Sequence, residues 1–367
     1  MSSEAATPAP VAKTGVGELW IVRALAGGGS TAVAFAALMI VLFQFGSGRT
    51  DQVILIFLAY LLVVISLQIF TGNSGVISFG HVALMAVGAY TGMLMNLSPS
   101  VKETQIGSAP DFIVNAHFSF LPATLIAVAV TCLIALPFGF VFARLSGAAA
   151  AIATLAGYVI AITVISNWAT VTHGTFTLYG VPTYSNDTLF WWMIAWVVIA
   201  ILVARLFRDS GLGLALRATS SDELVARAVG VNLPLARLAG WVLSAAFAAV
   251  GGVLYMKFLG SLAPTTFSFN PLIVITLVMF IVGGRSVSGV VAGATIVAFI
   301  DEVLKRIEND VQRAGIETIA LAAIFTLMMI YRSEGLFGRW EIDELAVKWW
   351  RSSTRGRRPA QETGASG

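Results

Sequence analysis

A succession of long, uncharged apolar runs constrains this chain more than any other feature. They occupy residues 24–45, 52–70, 76–97, 120–142, 146–168, 188–204 and 239–256, with three shorter ones at 272–282, 287–300 and 318–331. A bilayer core of roughly 30 Å takes about 20 helical residues to cross, and the first seven runs fall near that length. A transmembrane barrel would instead show alternation over ~10-residue strands. Composition agrees: 57% of the 367 residues are apolar and 11% charged, against about 25% charged in a soluble domain. Such a chain cannot clothe a soluble globule in polar groups. The 35 Gly and 11 Pro have no triplet period, which excludes collagen. The expectation is an all-α, polytopic helical membrane protein with about 8–10 hydrophobic segments. The count is ten if 272–282 and 287–300 cross separately, and eight if they form a re-entrant pair around Gly283-Gly284-Arg285-Ser286.

Basic residues orient the spans, because Lys and Arg accumulate in cytoplasmic loops. Residues 205–238 hold Arg205, Arg208, Arg217, Arg227 and Arg237, and seven basic residues run from Arg332 to Arg358. Threading the segments with both stretches inside puts the N-terminus and the C-terminus in the cytoplasm. Lys13, Arg23, Arg144 and Arg285 then lie inside, and Arg49, Lys102, Lys257, Lys305, Arg306 and Arg313 lie at or near the outer ends. Residues 1–23 are Ala/Pro-rich with no apolar core, so they read as a disordered cytosolic leader rather than a cleavable signal. Residues 24–338 read as the membrane domain, 205–238 as its main cytosolic loop, and 339–367 as a basic cytosolic tail in which Trp349 and Trp350 anchor at the headgroups.

Acidic residues are absent between Asp51 and Glu103, between Asp111 and Asp187, and between Glu223 and Asp301. The expected spans therefore carry no carboxylate at membrane depth, which weighs against proton-driven and many sodium-driven pumps. No Gly-x-x-x-x-Gly-Lys-Ser/Thr sequence occurs, so energy from ATP would have to come through a partner. Cys132 is the only cysteine and lies in an apolar run, and His81, His117 and His173 have no metal-ligand spacing. No metal and no cofactor in this chain is expected, nor any nucleic-acid partner. Gly72-Asn73-Ser74-Gly75 matches the Gly-x-Ser-Gly nucleophile motif of rhomboid proteases. That family takes its His from a separate later helix, whereas His81 follows only seven residues on. A Gly-rich break between spans explains Ser74 better.

The main loop carries a second signal. Ser220 and Glu223 form an S-x-x-E capping box, and Glu223 and Arg227 form an i,i+4 pair in the favourable order. Leu224, Val225, Ala228 and Val229 fall on one face, opposite Asp222, Glu223 and Arg227, and Gly230 sits at the C′ position. The spacing predicts an amphipathic helix of about ten residues over 220–230, too short to be stable alone in water. Two roles fit: a helix lying on the bilayer beside the flanking arginines, or a helix docked in a groove of a cytosolic partner.

Three stretches resemble a known family. Residues 211–232 (GLGLALRATSSDELVARAVGVN), followed by 238–252 (LAGWVLSAAFAAVGG), look like the cytoplasmic coupling region of branched-chain amino acid ABC transporter permeases, and are similar to the larger of the two paralogous permease subunits. Residues 71–90 (TGNSGVISFGHVALMAVGAY) resemble that family's Gly-x-x-Ser-x-Gly-His signature, and 283–289 (GGRSVSG) with Gly293-Ala294 resemble its Gly-rich C-terminal pair. The resemblance covers roughly 52–338. Residues 172–182 fit the family's outer segment only loosely, and Ser333 stands where the family usually has Pro.

The resemblance implies a permease subunit of an ATP-binding-cassette importer in a bacterial inner membrane. Its partners would be a second, paralogous permease, two ATPase subunits that bind the ATP, and a periplasmic or extracellular solute-binding protein. The solute would be a branched-chain amino acid or a similar small polar molecule. The coupling residues it designates are Ser220, Asp222, Glu223, Leu224, Ala226, Arg227, Gly230, Val231 and Asn232. Polar residues in spans tend to face a cavity or the interior, so the expected pathway residues are Asn73, Ser74, Ser78 and His81 at the first Gly-rich break and Thr163, Ser166 and Asn167 near the end of the fifth run. Ordinary interhelical hydrogen bonding is the plainer reading of the same residues. A partner-independent channel or uniporter for a solute such as urea or an amide is the competing class.

Overall fold

The computed structural model describes residues 16–46, 48–312, 315–332, 335–338 and 341. Every one of the ten apolar runs contributes a helix. In chain order these are α1 (Val16–Phe45), α2 (Gly48–Leu67) with a π-helical turn at Gln68–Gly72, α3 (His81–Asn96), the short α4 (Pro99–Ile106) and α5 (Asp111–Val114), α6 (Phe120–Phe142), α7 (Gly147–Asn167) and the one-turn α8 (Ala169–Thr172). After the two-residue strand β1 (Leu178–Tyr179) come α9 (Asn186–Asp209), α10 (Gly211–Ser221), α11 (Glu223–Ala228) and α12 (Leu233–Leu259). The strand β2 (Ser261–Leu262) precedes α13 (Val274–Gly283), α14 (Val287–Val311) and α15 (Ile316–Tyr331). Among the described residues seven helices are long and apolar enough to cross a membrane, and eight if the bent pair α3–α4 counts as one. α13, at ten residues, rises only about 15 Å, half a bilayer.

The central helix is α12, which packs against α2, α3 and α6. Glycine allows the α3–α12 crossing to be close. Gly88 lies against the backbone of Ala249, Gly252 against the carbonyl oxygen of Met85, and a Cβ on Gly92 would stand 2.7 Å from Val253 Cγ2. Trp241 of α12 fills the space between Phe70, His81 and Phe142, with ring centroids 5.3, 5.2 and 5.2 Å away, and donates its indole N–H to the Ala135 carbonyl at 3.0 Å. α1, α6 and α7 bury only 28% of their apolar windows, so they face outward, as helices at a lipid or subunit boundary do.

Several boundaries differ from expectation. Residues 76–80 are not helical. Gly75 turns the chain with φ +73°. Beyond it, side chains take the amides that a helix would have used: Ser74 Oγ accepts from Val76 N, Ser78 Oγ from Gly80 N and Thr154 Oγ1 from Phe79 N. The expected leader overlaps helix, because α1 begins at Val16, and residues 1–15 lie outside the described residues. α14 continues past residue 300 to Val311, carrying its charges as i,i+4 pairs, Asp301 with Lys305 at 2.6 Å and Glu302 with Arg306 at 2.8 Å. Acidic groups thus occur on a helix long enough to span, beyond the stretch expected to be free of them.

The tail boundary at 339 also moves. Glu341 is buried, 1% exposed, between α9 and the start of α14. Burial opposes its ionisation, but the charges of Arg208 and Arg205 and the bonds from Ser288 outweigh that and hold its carboxyl below the usual range. The rest of the tail, with Trp349 and Trp350, lies outside the described residues, as do Arg313 and Ser333.

The molecule has two polar ends. At one, β1 and β2 pair antiparallel, and Lys257, closing α12, donates to Asn96 Oδ1 and the Pro182 carbonyl. At the other lie Arg205, Arg208, Arg237, Arg285 and the α10–α11 segment.

Candidate functional site

The α10–α11 segment is a helical hairpin, not the single helix of about ten residues that the capping box predicts. Ser220 lies in the last turn of α10, and the residue that caps α11 is Asp222. The Asp222 Oδ1 accepts from Leu224 N at 2.8 Å and Val225 N at 3.1 Å. α10 has its own cap, Ser210, which accepts from Gly213 N at 3.2 Å. α11 closes as expected at Gly230, φ +86°. Gly230 N donates to the Arg227 carbonyl and Val231 N to the Ala226 carbonyl, each at 3.0 Å, the pattern of a Schellman motif. Asn232 then caps α12 through Leu235 N. The non-spanning stretch is therefore 210–232, shorter than 205–238, because α9 carries Arg205 and Arg208 and α12 already carries Arg237.

The hairpin presents its apolar residues outward. Leu224, Val225 and Val229 are 79%, 59% and 73% exposed, whereas Ala226 is buried. Leu212, Leu214 and Leu235 add to the same exposed apolar set. Arg227 is also exposed, 4.0 Å from Glu223.

Glu223 faces inward, away from the exposed Leu224, Val225 and Val229. It pairs with the buried Arg237 of α12 and accepts from Ser146 Oγ at 2.9 Å. Arg237 also donates to Ser146 Oγ at 3.2 Å and to the Leu145 carbonyl at 2.9 Å. Ser146 is the residue preceding α7. One carboxylate and one guanidinium thus tie α11 to the central helix and to the α6–α7 turn. Burial works against ionisation of Glu223, but the bonds from Ser146 and Arg237 with the charges of Arg237 and Arg227 prevail, so its carboxyl sits below the usual range.

A second tie starts from Ser220. Arg285, in the turn between α13 and α14, donates to Ser220 Oγ at 3.1 Å. The Arg285 carbonyl accepts from Gln68 Nε2 at 3.2 Å, and a Cβ on Gly75 would stand 2.8 Å from Ser220 Oγ. Both Gly-rich breaks therefore meet against the base of α10, although more than 200 residues separate them in sequence.

The expected pathway residues divide into two groups. Asn73, Ser74, Ser78 and His81 are all buried at the α2–α3 break. The two His81 ring nitrogens lie 3.0 Å from Ser78 Oγ and 3.1 Å from Ser244 Oγ, bridging α3 to α12, and Ser74 Oγ bonds to Val76 N instead. Asn73 Nδ2 donates to the Ile69 carbonyl at 2.9 Å, across the π turn, while the Gln68 Oε1, Thr71 Oγ1 and Asn73 Oδ1 atoms there have no protein partner. The cavity beside Ser78, His81 and Thr276 is about 10 Å³, at the lower limit for one water. Thr163 and Asn167 lie instead on the exposed face of α7, with Ser166 half-buried and Asn167 Nδ2 bonded to the Thr163 carbonyl at 2.8 Å.

The sequence reading missed Ser146 and Glu341. Ser146 carried one usable signal, an N-cap residue ahead of an apolar run. Glu341 is one of several acidic residues beyond the last span, with Glu334, Asp343 and Glu344 close by, and nothing local sets it apart.

Comparison with known proteins agrees with this architecture. A family described as "Branched-chain amino acid transport system / permease component" matches residues 49–333. The chain is 26% identical over 323 residues to the "High-affinity branched-chain amino acid transport system permease protein LivM" of Escherichia coli (strain K12), covering 79% of this chain and 70% of that protein. It is 26% identical over 310 residues to the protein of the same name from Salmonella typhimurium, covering 76% and 67%. A "Probable branched-chain amino acid transport permease protein LivH" of Methanocaldococcus jannaschii is 33% identical over 112 residues, 29% of this chain and 34% of that one. No solved structure matches. With most of its helical core inside the matched region, the chain belongs to the family of branched-chain amino acid transport permease components.

Proposed function

We propose that this chain is one membrane subunit of an ATP-binding-cassette importer, carrying branched-chain amino acids or a similar small zwitterion across a bacterial inner membrane. A second paralogous permease, two ATPase subunits and an external solute-binding protein complete the assembly, and the ATP is bound by the ATPases. The Arg-rich end faces the cytoplasm, where the excess of Lys and Arg belongs.

The observation that carries this reading is the α10–α11 hairpin. It exposes Leu224, Val225 and Val229 on a six-residue helix that Glu223 ties rigidly to α12 and α7. An apolar face held outward on a braced support suits a groove in a partner. Closure of the ATPases then moves the hairpin, and the two ties pass that displacement to the central helix and to the Gly-rich breaks, a rigid-body switch. The buried oxygens of Gln68, Thr71 and Asn73 have no protein partner at the first Gly-rich break.

The test is the double variant Leu224→Asp with Val229→Asp in the reconstituted five-subunit importer. Loss of ATPase association and of ATP-driven uptake, with the variant still correctly folded in the membrane, supports the reading. Uptake that continues unchanged, or that proceeds without any ATPase, overturns it.

A further inference from the structure

The strongest unassigned feature is formed by residues 335–338 and Glu341, which pack against the α13–α14 turn. Leu336 N donates to the Val282 carbonyl at 2.9 Å, and Arg285 N to the Gly338 carbonyl at 3.1 Å. Gly335, at φ +78°, lies so close to Gly284 that any side chain would collide with backbone. Glu341 has both carboxylate oxygens fully engaged. Its Oε1 pairs with Arg208 and accepts from Val287 N at 2.9 Å. Its Oε2 pairs with Arg205 at 3.0 Å and accepts from Ser288 N at 3.0 Å and Ser288 Oγ at 2.7 Å. Arg205, Arg208 and Glu341 are 2%, 5% and 1% exposed in their side chains.

This is an expensive arrangement. Three buried charges need excellent geometry merely to offset their desolvation, and an apolar plug would seal the same space. What a plug would not supply is a directional link. The carboxylate binds the C-terminal end of α9 on one side and the positive N-terminal amides of α14 on the other. The Arg208 carbonyl accepts from Arg217 of α10 at 3.0 Å. On the far side of the turn, Arg285 reaches Ser220, also on α10. The hairpin's first helix is therefore connected to the α13–α14 turn by two routes, one through Arg285 and one through Arg208 and Glu341.

We propose that Glu341 is a positioning residue for transport: it fixes the α13–α14 turn to the end of α9, so that displacement of α10 reaches the Gly-rich breaks instead of being absorbed by the turn. This rests on the importer reading above. Removing the carboxylate's charge then uncouples hydrolysis from movement without removing the surface that docks the ATPase.

The experiment compares wild type, Glu341→Gln, Glu341→Asp and Ser288→Ala in proteoliposomes containing the complete importer, measuring solute uptake and ATP hydrolysis together at matched amounts of assembled complex. The expected result is at least a fivefold fall in solute moved per ATP for Glu341→Gln, with hydrolysis retained, partial recovery for Glu341→Asp, and a smaller fall for Ser288→Ala, which loses one bond and keeps the charge. An unchanged uptake-to-hydrolysis ratio in Glu341→Gln overturns the assignment. So does a parallel loss of uptake, hydrolysis and assembly in Glu341→Gln with a wild-type ratio in Ser288→Ala, which marks a purely structural role. If the wild type itself shows no ATP-dependent uptake, the importer reading fails first, and that outcome is distinct from both.

Discussion

Arg237→Met removes the most connected part of the brace while keeping an apolar stem of similar length. Arg237 is 2% exposed in its side chain and donates to the Leu145 carbonyl, to Ser146 Oγ and to Glu223. A buried hydrogen bond from a charged donor contributes about 1.5–3 kcal/mol. The Glu223 pair adds less, up to about 1 kcal/mol, because that carboxylate is 31% exposed and water replaces part of its partner. Together the local loss is about 2–4 kcal/mol, or about 30- to 1,000-fold in the opening equilibrium of α11. Hydrogen exchange of the Ala226, Val229 and Val231 amides reads that equilibrium directly, since each donates within the α11 turn and its cap. Glu223→Gln retains an acceptor for Ser146 and loses only the half-exposed ion pair, so its exchange rises by less than about tenfold. Exchange in Arg237→Met within twofold of wild type, or a larger effect from Glu223→Gln, refutes the brace.

Lowering the pH tests the same brace without mutation. The Glu223 carboxyl is depressed below its ordinary value of 4.5, so its contribution is fully present above that value and is lost as the pH falls through the folded-state value. Intrinsic-rate-corrected exchange of α11 should stay flat from pH 7 to about 5 and rise below 4.5; a rise already between pH 7 and 5 contradicts it. In detergent, Gly252→Ala should lower the Tm, because the new methyl meets the Met85 carbonyl oxygen and overpacking costs about 1–3 kcal/mol against a helix gain of about 0.5–1. Gly29→Ala, with nothing within 4 Å, should leave the Tm unchanged or raise it, and the reverse order would contradict the packing account. Ser74→Ala should cost about 1 kcal/mol, through the lost acceptor for Val76 N, and lower the Tm in detergent; an unchanged Tm would contradict that role.

The spans were legible because each is set by a long local run of apolar residues. Residues 120–142 are helical to the residue, and residues 147–167 fall one short of expectation at each end. What stayed hidden depends on partners far away in sequence. The break at 76–80 follows from hydroxyls at Ser74, Ser78 and Thr154 taking backbone amides, and Thr154 lies some 75 residues on. The capping box over 220–230 failed because Ser220 is held by Arg285 and Glu223 by Arg237, which left Asp222 to cap the shorter helix. The Gly-rich stretches were recognisable as breaks, but their meeting against α10 was not, since nothing local in 72–80 points to 283–286. Glu341 was the least legible: it is one of four acids between 334 and 344, and its partners Arg205 and Arg208 lie more than 130 residues away, at the edge of the expected cytosolic loop.

The claim on which the account depends is that α11 meets an ATPase on the cytoplasmic side. Its most direct test is a photo-reactive side chain at position 225, irradiated in the intact importer within native membranes. The account predicts a cross-link to the ATPase subunit, diminished when Leu224 and Val229 are replaced by Asp. Cross-linking to lipid alone, or to the external solute-binding protein, would contradict it.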